Sequence, residues 1–239
     1  MLKIKTILLL TLFSSPFMFT LKAQADLFGD YVASETKEVD QRRTVGSGSR
    51  SSCQSNIVKN SVSLLVPKQK VVHHTSLQKP SFFLVANRGV TSDKPFKFTL
   101  VDPQTARTLV EKTFSISGEI EQIELPKSTK LQSGKIYLWY VAIPCTNNKD
   151  EYREVLGAAI RRRNLTRNVK IQLNRAKSNI QTAAIYARNG FWYEALEIAV
   201  EEQIREQNDG KVRRLSYLAR LLHSAELNFS DTTIHQKSK

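Results

Sequence analysis

Residues of the kinds that build catalytic and metal sites are scarce in this sequence, and their usual arrangements are absent. Only four histidines and two cysteines occur, and no histidine has a second one four residues away, as a zinc site on a helix needs. The sequence has neither a GxSxG nucleophile motif nor the Gly-Lys-Ser/Thr ending of a phosphate-binding loop. We therefore predict no catalytic, metal-binding or cofactor-binding residues, and we place His73 and His74 on the surface of a loop before Pro80.

The two cysteines, Cys53 and Cys145, have neither CxxC spacing nor the spacing of metal ligands. In an oxidising compartment such an isolated pair is most simply one disulfide. It would close a loop of roughly 90 residues and stabilise the fold by at most on the order of 4 kcal/mol. Two free thiols or a redox role are the alternatives.

The first 25 residues are typical of a cleavable signal peptide. Lys3 and Lys5 precede an apolar stretch over Ile7–Leu21, and Ala23-Gln24-Ala25 supplies the small residues that signal peptidase requires. The stretch is shorter than the ~20 residues of a membrane-spanning helix. We therefore predict cleavage after Ala25 and a mature protein, without a transmembrane segment, that is exported to the periplasm or the extracellular space.

Acidic residues are in the minority, since 36 Lys and Arg oppose 22 Asp and Glu for a net charge of +14. The signal peptide contains three of the Lys and no acid, which leaves +11 on the mature chain. Arg161, Arg162 and Arg163 form a local cluster and are the candidate anion-binding residues. Such charge attracts anionic polymers, lipid head groups and acidic proteins, whereas export argues against nucleic acid. A solvated basic face without a specific ligand is the alternative.

Two changes of pattern divide the mature chain. Residues 26–52 are rich in Gly, Ser and charges of alternating sign, which indicates a flexible linker. Residues 53–163 contain short apolar or alternating runs between turn residues, which predicts strands. The predicted strands are Ile57–Val66, Ser81–Ala86, Phe96–Val101, Thr108–Ile116, Ile120–Leu125, Lys135–Ile143 and Tyr152–Arg162. Short strands at this density favour an Ig-like antiparallel β-sandwich with Greek-key connectivity.

Tyr137 follows Gly134 at the start of the most apolar of these strands. The spacing is typical of a tyrosine corner, in which the hydroxyl bonds to the backbone just upstream. Alternation puts Trp139 on the same face as Tyr137, and both faces are apolar, so we expect a central strand. A carbohydrate-binding strip of Tyr137, Trp139 and Tyr140 is the alternative interpretation.

After Arg163 the apolar period becomes that of helices. Apolar residues from Val169 to Ala187 recur every three or four positions and predict one helix, which Asn189-Gly190 ends. Two more helices are predicted over about 191–207 and 212–227, so that residues 164–228 form a three-helix segment before a disordered tail, 229–239. Residues 183–201 resemble the centre of a tetratricopeptide repeat, although a binding groove needs more than one unit. The predicted fold class is therefore α+β.

The order of several motifs resembles a known family. The motifs are Gly46–Arg50 shortly before Cys53, Ser63–Pro67, Pro80–Val85, Phe98–Asp102, Gly134–Cys145 and Tyr186–Leu196. In this order they resemble the secreted cyanobacterial proteins described as domain of unknown function 928, and the resemblance covers residues 42–227. Thr146 stands where that family commonly has Asp. The resemblance implies a secreted address and supports the cysteine pair, but it implies no activity.

Three functions are compatible with these features. We favour a non-catalytic binding or scaffold protein of the cell envelope, whose partner is an envelope protein or an anionic polymer, with peripheral membrane association as a further option. An envelope hydrolase with an unrecognised site would need carboxylates or histidines that converge in one pocket. A small-ligand carrier would need a cavity in the sandwich.

Overall fold

The computed structural model describes residues 30–33, 61–67, 71–87, 90, 92–145, 152–210 and 216–227, without the side chains of residues 153 and 154. The signal peptide with its cleavage site, Cys53 and the tail 229–239 lie outside the described residues. The strands of the described part are β1 (Val62–Leu64), β2 (Val72–Thr75), β3 (Phe82–Ala86), β4 (Phe96–Asp102), β5 (Arg107–Phe114), β6 (Ile120–Ile123), β7 (Ile136–Pro144) and β8 (Tyr152–Arg162). The helices are α1 (Arg167–Arg175), α2 (Asn179–Arg188), α3 (Trp192–Asn208) and α4 (Tyr217–Ser224).

The strands form two sheets. The larger sheet has the order β2-β8-β7-β4-β5 and the smaller one the order β1-β3-β6. Neighbouring strands are antiparallel except β2 and β8, which run parallel. All seven predicted strands are present and β2 is an addition, so the α+β class is confirmed. The Ig-like Greek-key connectivity is a finer prediction that these strand orders do not confirm.

The main core lies between the two sheets. Phe82 of the smaller sheet packs against Phe98 and Trp139 of the larger one, with ring centroids 5.1 and 4.9 Å apart. Alternation along β4 creates this contact, because Phe96, Phe98 and Leu100 are buried while the residues between them are half-buried. Aromatic side chains of this size supply much of the apolar area that a sheet can bury.

Strand β7 occupies the centre of the larger sheet, between β8 and β4, as its two apolar faces predict. One face contributes Tyr137, Trp139, Val141 and Ile143 to the main core. On the opposite face, Leu138 and Tyr140 pack with Val72 and Ala159 in a second, smaller cluster. Both rows of backbone groups of this strand are hydrogen-bonded, one to β8 and the other to β4.

Strand β2 corrects the prediction for the two neighbouring histidines. His73 and His74 do not lie on a surface loop: they belong to this strand and are 1% and 0% exposed. The strand pairs with the end of β8, where His74 is opposite Arg161. The prediction was wrong because a strand of four residues with three polar side chains shows no apolar alternation, and only its tertiary surroundings bury it.

The first predicted helix is two helices in the structure. Helix α1 ends at Arg175 and α2 begins at Asn179, and between them the backbone of Ala176 is extended. Ser178 then caps α2, since its hydroxyl accepts a hydrogen bond from the backbone N–H of Gln181 at 3.2 Å. Apolar spacing continues across the break, so it gave no sign of this N-cap serine. Helix α3 covers the range predicted for the second helix, whereas residues 212–215 of the third predicted helix lie outside the described residues.

Helix α3 belongs to the same core as both sheets. Its first residue, Trp192, donates a hydrogen bond from Nε1 to the backbone carbonyl of Leu65 at 2.8 Å, and the Tyr193 hydroxyl accepts one from Trp139 Nε1 at 3.0 Å. Helix α3 therefore packs against both sheets across the boundary predicted at Arg163. None of the described helices is long and apolar enough to span a membrane.

Candidate functional site

Polar and charged groups come together in two places in the described part of the chain. The first is a buried network between β2 and α3, and the second is the basic surface that follows β8. Neither is a metal centre, since no three His, Cys, Asp or Glu side chains of the described residues form a group that could hold an ion. Of these two places, the basic surface is the one with exposed side chains.

Glu194 is the centre of the buried network. It lies in the first turn of α3, is 3% exposed, and its Oε1 accepts hydrogen bonds from both the backbone N–H and the hydroxyl of Ser76. Burial raises the pKa of Glu194 above its ordinary value of 4.5, and the hydrogen bonds from Ser76 offset part of that rise. This carboxyl group therefore holds its proton more tightly in the folded protein than in an exposed position.

A second carboxylate lies one helical turn further along α3. Glu197 Oε1 accepts a hydrogen bond of 2.6 Å from the hydroxyl of Ser81. Partial burial raises the pKa of Glu197, and the hydrogen bond from Ser81 opposes the rise. Through these hydrogen bonds Glu194 and Glu197 bind the two ends of the loop 76–81 to one face of the helix, which is a structural role.

The loop 76–81 also contains a serine and a lysine that are three positions apart. Ser76-Leu77-Gln78-Lys79 matches the S-x-x-K spacing of a class of serine acyl enzymes. Neither Ser76 nor Lys79 lies on a helix, the Ser76 hydroxyl donates to Glu194 at 2.6 Å, and Lys79 is exposed. The spacing is therefore a sequence coincidence, because the lysine is not held one helical turn from the hydroxyl.

Tyr31 extends the buried network to the segment 30–33. Its hydroxyl lies 2.7 Å from Nδ1 of His73, and its ring meets the edge of Trp192 with centroids 4.9 Å apart. The backbone N–H of Tyr31 donates to the hydroxyl of Ser224, and that of Val32 donates to the carbonyl of Ala187, both at 3.1 Å. The segment therefore holds β2 and three helices together near the start of the predicted mature chain.

The three consecutive arginines at the end of β8 do not form one anion-binding group. Arg162 donates from Nε to the carbonyl of Ser76 at 3.2 Å and from Nη1 to the carbonyl of Leu131 at 3.3 Å. Arg163 donates to Nδ1 of His74 at 3.3 Å. Arg161 is partly buried and lies opposite His74 in the sheet. Alternation along a strand points neighbouring side chains to opposite faces, so the candidate residues Arg161, Arg162 and Arg163 are divided between the two faces.

Helix α1 supplies the exposed charge of this region. Val169 is its one buried residue among nine, whereas Arg167, Lys170 and Arg175 are exposed. These three cations form no ion pair or hydrogen bond through their side chains with the described residues. By contrast, Lys97 of β4 forms an ion pair with Glu111 of the neighbouring strand β5. We call residues 161–177 the basic segment.

Sequence reasoning missed the feature that explains these unpaired cations. From residue 155 to residue 193 the chain contains eight Lys and Arg and no Asp or Glu. Averaging the charge over residues 164–239 hides this run, because α3 alone contributes five glutamates. The longest acid-free interval in the region is therefore a better indicator of the exposed charge than the local triplet of arginines.

The alternative carbohydrate-binding strip is excluded by burial. Tyr137, Trp139 and Tyr140 are at most 7% exposed, so no sugar ring could stack on them. The Tyr137 hydroxyl instead accepts a hydrogen bond of 2.9 Å from the backbone N–H of Gln132, the contact that a tyrosine corner predicts.

Cys145 is fully buried, and the described part of the chain contains no free cysteine.

These observations define a class: an α+β protein with two packed sheets, a helical segment embedded in the same core, and an exposed basic helix. The family described as Domain of Unknown Function (DUF928) matches residues 45–237, which is most of the chain. The protein therefore belongs to this family, as the order of its motifs predicts. No curated protein matches the chain.

Proposed function

We propose that this protein is a non-catalytic binding or scaffold protein of the cell envelope, and that its basic segment binds an anionic ligand. The observation that carries the proposal is the set of exposed cations on α1, which pair with no side chain of the described residues and lie within an acid-free interval of the chain. A surface of one charge sign attracts oppositely charged ligands and raises their local concentration. In the interior, Ser76 donates to Glu194 and Ser81 donates to Glu197, which supports a structural role for these two carboxylates.

The export part of the proposal is supported by the N-terminal sequence. Lys3 and Lys5, the apolar stretch after them and the small residues before position 26 are typical of a signal peptide, with cleavage after Ala25. The site of action is then the periplasm or the extracellular space. A disulfide between Cys53 and Cys145 fits such a compartment, and the burial of Cys145 supports it.

Two finer features of the fold belong to the same proposal. The hydrogen bond from Gln132 to Tyr137 supports an Ig-like Greek-key arrangement of the sheets. The left-handed Gly190, with a φ of 77°, and the buried alanines Ala187 and Ala195 on either side of it support a tetratricopeptide-like hairpin of α2 and α3. In both cases the residues act in packing.

Binding to a soluble polyanion tests the function. The mature chain, residues 26–239, is titrated with dextran sulfate and with uncharged dextran at low and high salt. We expect binding to dextran sulfate alone, weakened by salt because exposed charges are screened within a Debye length of about 10 Å at 0.1 M. Arg167→Glu/Lys170→Glu should abolish it. The matched control, Lys127→Glu/Lys130→Glu, makes the same change of net charge at two exposed lysines of the β6–β7 loop. Equal loss in both variants would overturn the proposal.

A further inference from the structure

Helix α1 has an exposed face that combines positive charge with an apolar residue. With 100° between successive residues of an α-helix, Val169 points toward the protein and Arg167, Ile171 and Asn174 point away from it. Ile171 is 40% exposed, and it is one of three large apolar side chains exposed among the described residues. Lys170 and Arg175 lie on the flanks of this outward face, so Ile171 sits between cations.

We infer that this face of α1 rests on an anionic lipid membrane surface, with Ile171 entering the interface and the cations contacting lipid phosphates. The inference rests on the proposed function and names its ligand. A basic helix with an apolar residue at the centre of its exposed face is suited to the boundary between head groups and acyl chains. A polysaccharide would engage the cations but offers no apolar layer for Ile171, which is why the lipid surface is the better match.

The long side chains of α1 suit this role. Lys and Arg can lay their aliphatic stems along an apolar surface and keep the charged group at the level of the phosphates. Their charged groups are not held by acidic neighbours within the described part of the chain, so membrane binding breaks no ion pair among these residues. The helix is anchored through its opposite side by Val169, and it can therefore meet a flat surface without unfolding.

The expected attraction is moderate and reversible. Each Lys or Arg close to an anionic membrane strengthens binding roughly fivefold, so the three cations of α1 together contribute about 100-fold. Partial burial of one isoleucine adds about threefold. Binding of this strength depends on the negative charge of the lipid and decreases as salt screens it.

Vesicle sedimentation of the mature chain tests the inference. The probes are vesicles of equal parts phosphatidylglycerol and phosphatidylcholine, and vesicles of phosphatidylcholine alone. We expect cosedimentation with the first only, reversed by high salt. Arg167→Glu/Lys170→Glu should weaken binding by at least about 25-fold, whereas Lys127→Glu/Lys130→Glu should retain most of it. Ile171→Gln, which keeps a good helix former at an exposed position, should weaken vesicle binding about threefold.

Dextran sulfate separates this inference from the function on which it rests. Ile171→Gln is expected to leave dextran sulfate binding unchanged, because a soluble polyanion has no apolar layer. Binding to dextran sulfate without binding to vesicles would overturn the membrane inference and leave the proposed function intact. Failure to bind either probe would overturn both. Vesicle binding that Ile171→Gln does not weaken, or that the control variant loses equally, would exclude α1 as the membrane-contacting element.

Discussion

Nε1 of Trp192 donates a hydrogen bond of 2.8 Å to the backbone carbonyl of Leu65, across 127 residues of chain. Leu65 directly follows β1 in the smaller sheet, and Trp192 is the first residue of α3. The next residue of the helix, Tyr193, accepts the indole hydrogen bond of Trp139 from the larger sheet. Two successive residues of one helix are thus bonded to both sheets.

The first prediction is that the sheets and the helices unfold together. Trp139 and Trp192 are the two tryptophans of the chain, one in a sheet and one in a helix. In the variant Trp139→Phe the fluorescence reports on the helix, and in Trp192→Phe it reports on the sheet. Within each variant we expect the urea transition by fluorescence to coincide with that by far-ultraviolet circular dichroism, because a cooperative unit gives coincident transitions.

We also expect Trp192→Phe to lower the stability of the fold. Trp192→Phe removes part of a buried side chain and leaves the Leu65 carbonyl without its donor, so we expect the free energy of unfolding to fall by about 2–4 kcal/mol. Two separated transitions in either variant would show that the helical segment is an independent unit. In that case the boundary near Arg163 would separate two domains.

The second prediction concerns Tyr31. Tyr31→Phe removes the hydrogen bond to His73 and should lower the free energy of unfolding by about 1 kcal/mol. Tyr31→Ala also removes the ring that packs on Trp192 and should cost about 3 kcal/mol. Both values come from urea titrations of the mature chain. Val32→Ala is the control: Val32 is 53% exposed, and its change should stay within about 0.5 kcal/mol.

A result in which all three of these variants match the wild type would mean that the segment 30–33 does not remain docked in solution. The backbone bonds from Tyr31 to Ser224 and from Val32 to Ala187 would then be dispensable for the stability of the fold.

The elements that sequence patterns predicted best are those in which buried residues recur at regular intervals. The alternation of buried and half-buried residues along β4 is visible in the sequence as Phe96, Phe98 and Leu100, and the two apolar faces of β7 predicted its central position. The bounds of β8, Tyr152–Arg162, agree with the predicted strand. In these cases local pattern and tertiary burial are consistent, and one can be inferred from the other.

Patterns failed where tertiary contacts override local preference. His73 and His74 are buried only because β2 is covered and Tyr31 from a distant segment bonds to His73. The break between α1 and α2 is followed by Ser178, the N-cap of α2, and apolar spacing does not reveal it. The arginine triplet was a reasonable candidate by composition, yet Arg162 bonds backbone carbonyls, a use of charge that no count of residues predicts.

The third prediction concerns Cys145. This residue is fully buried at the end of β7, and we expect a disulfide to Cys53, which lies outside the described residues. The mature protein should take up no thiol reagent when unfolded without reductant and two equivalents after reduction, as measured by mass spectrometry. Reduction should lower the free energy of unfolding by up to about 4 kcal/mol. Uptake of two equivalents without reductant would exclude the bond.

The fourth prediction concerns the pH dependence that Glu194 creates. Burial raises the pKa of Glu194 above 4.5 in the folded protein, so within the range between the unfolded and folded pKa values the folded state binds more protons. The stabilisation that comes from this proton is fully present below the unfolded pKa and is lost as pH rises through the folded pKa. Glu194→Gln resembles the protonated form at every pH, and we expect it to remove this loss.

Urea titrations from acidic to neutral pH check this expectation for the wild type and the variant. The free energy of unfolding of Glu194→Gln relative to wild type should increase with pH, while Glu201→Gln, at an exposed position of the same helix, should follow the wild type. Glu194→Ala should be less stable at all pH values, by about 1–3 kcal/mol, because the backbone N–H of Ser76 loses its acceptor. If Glu194→Gln and the wild type run parallel over the whole range, Glu194 does not cause the pH dependence, and the carboxyl group is ionised in the fold at no extra cost.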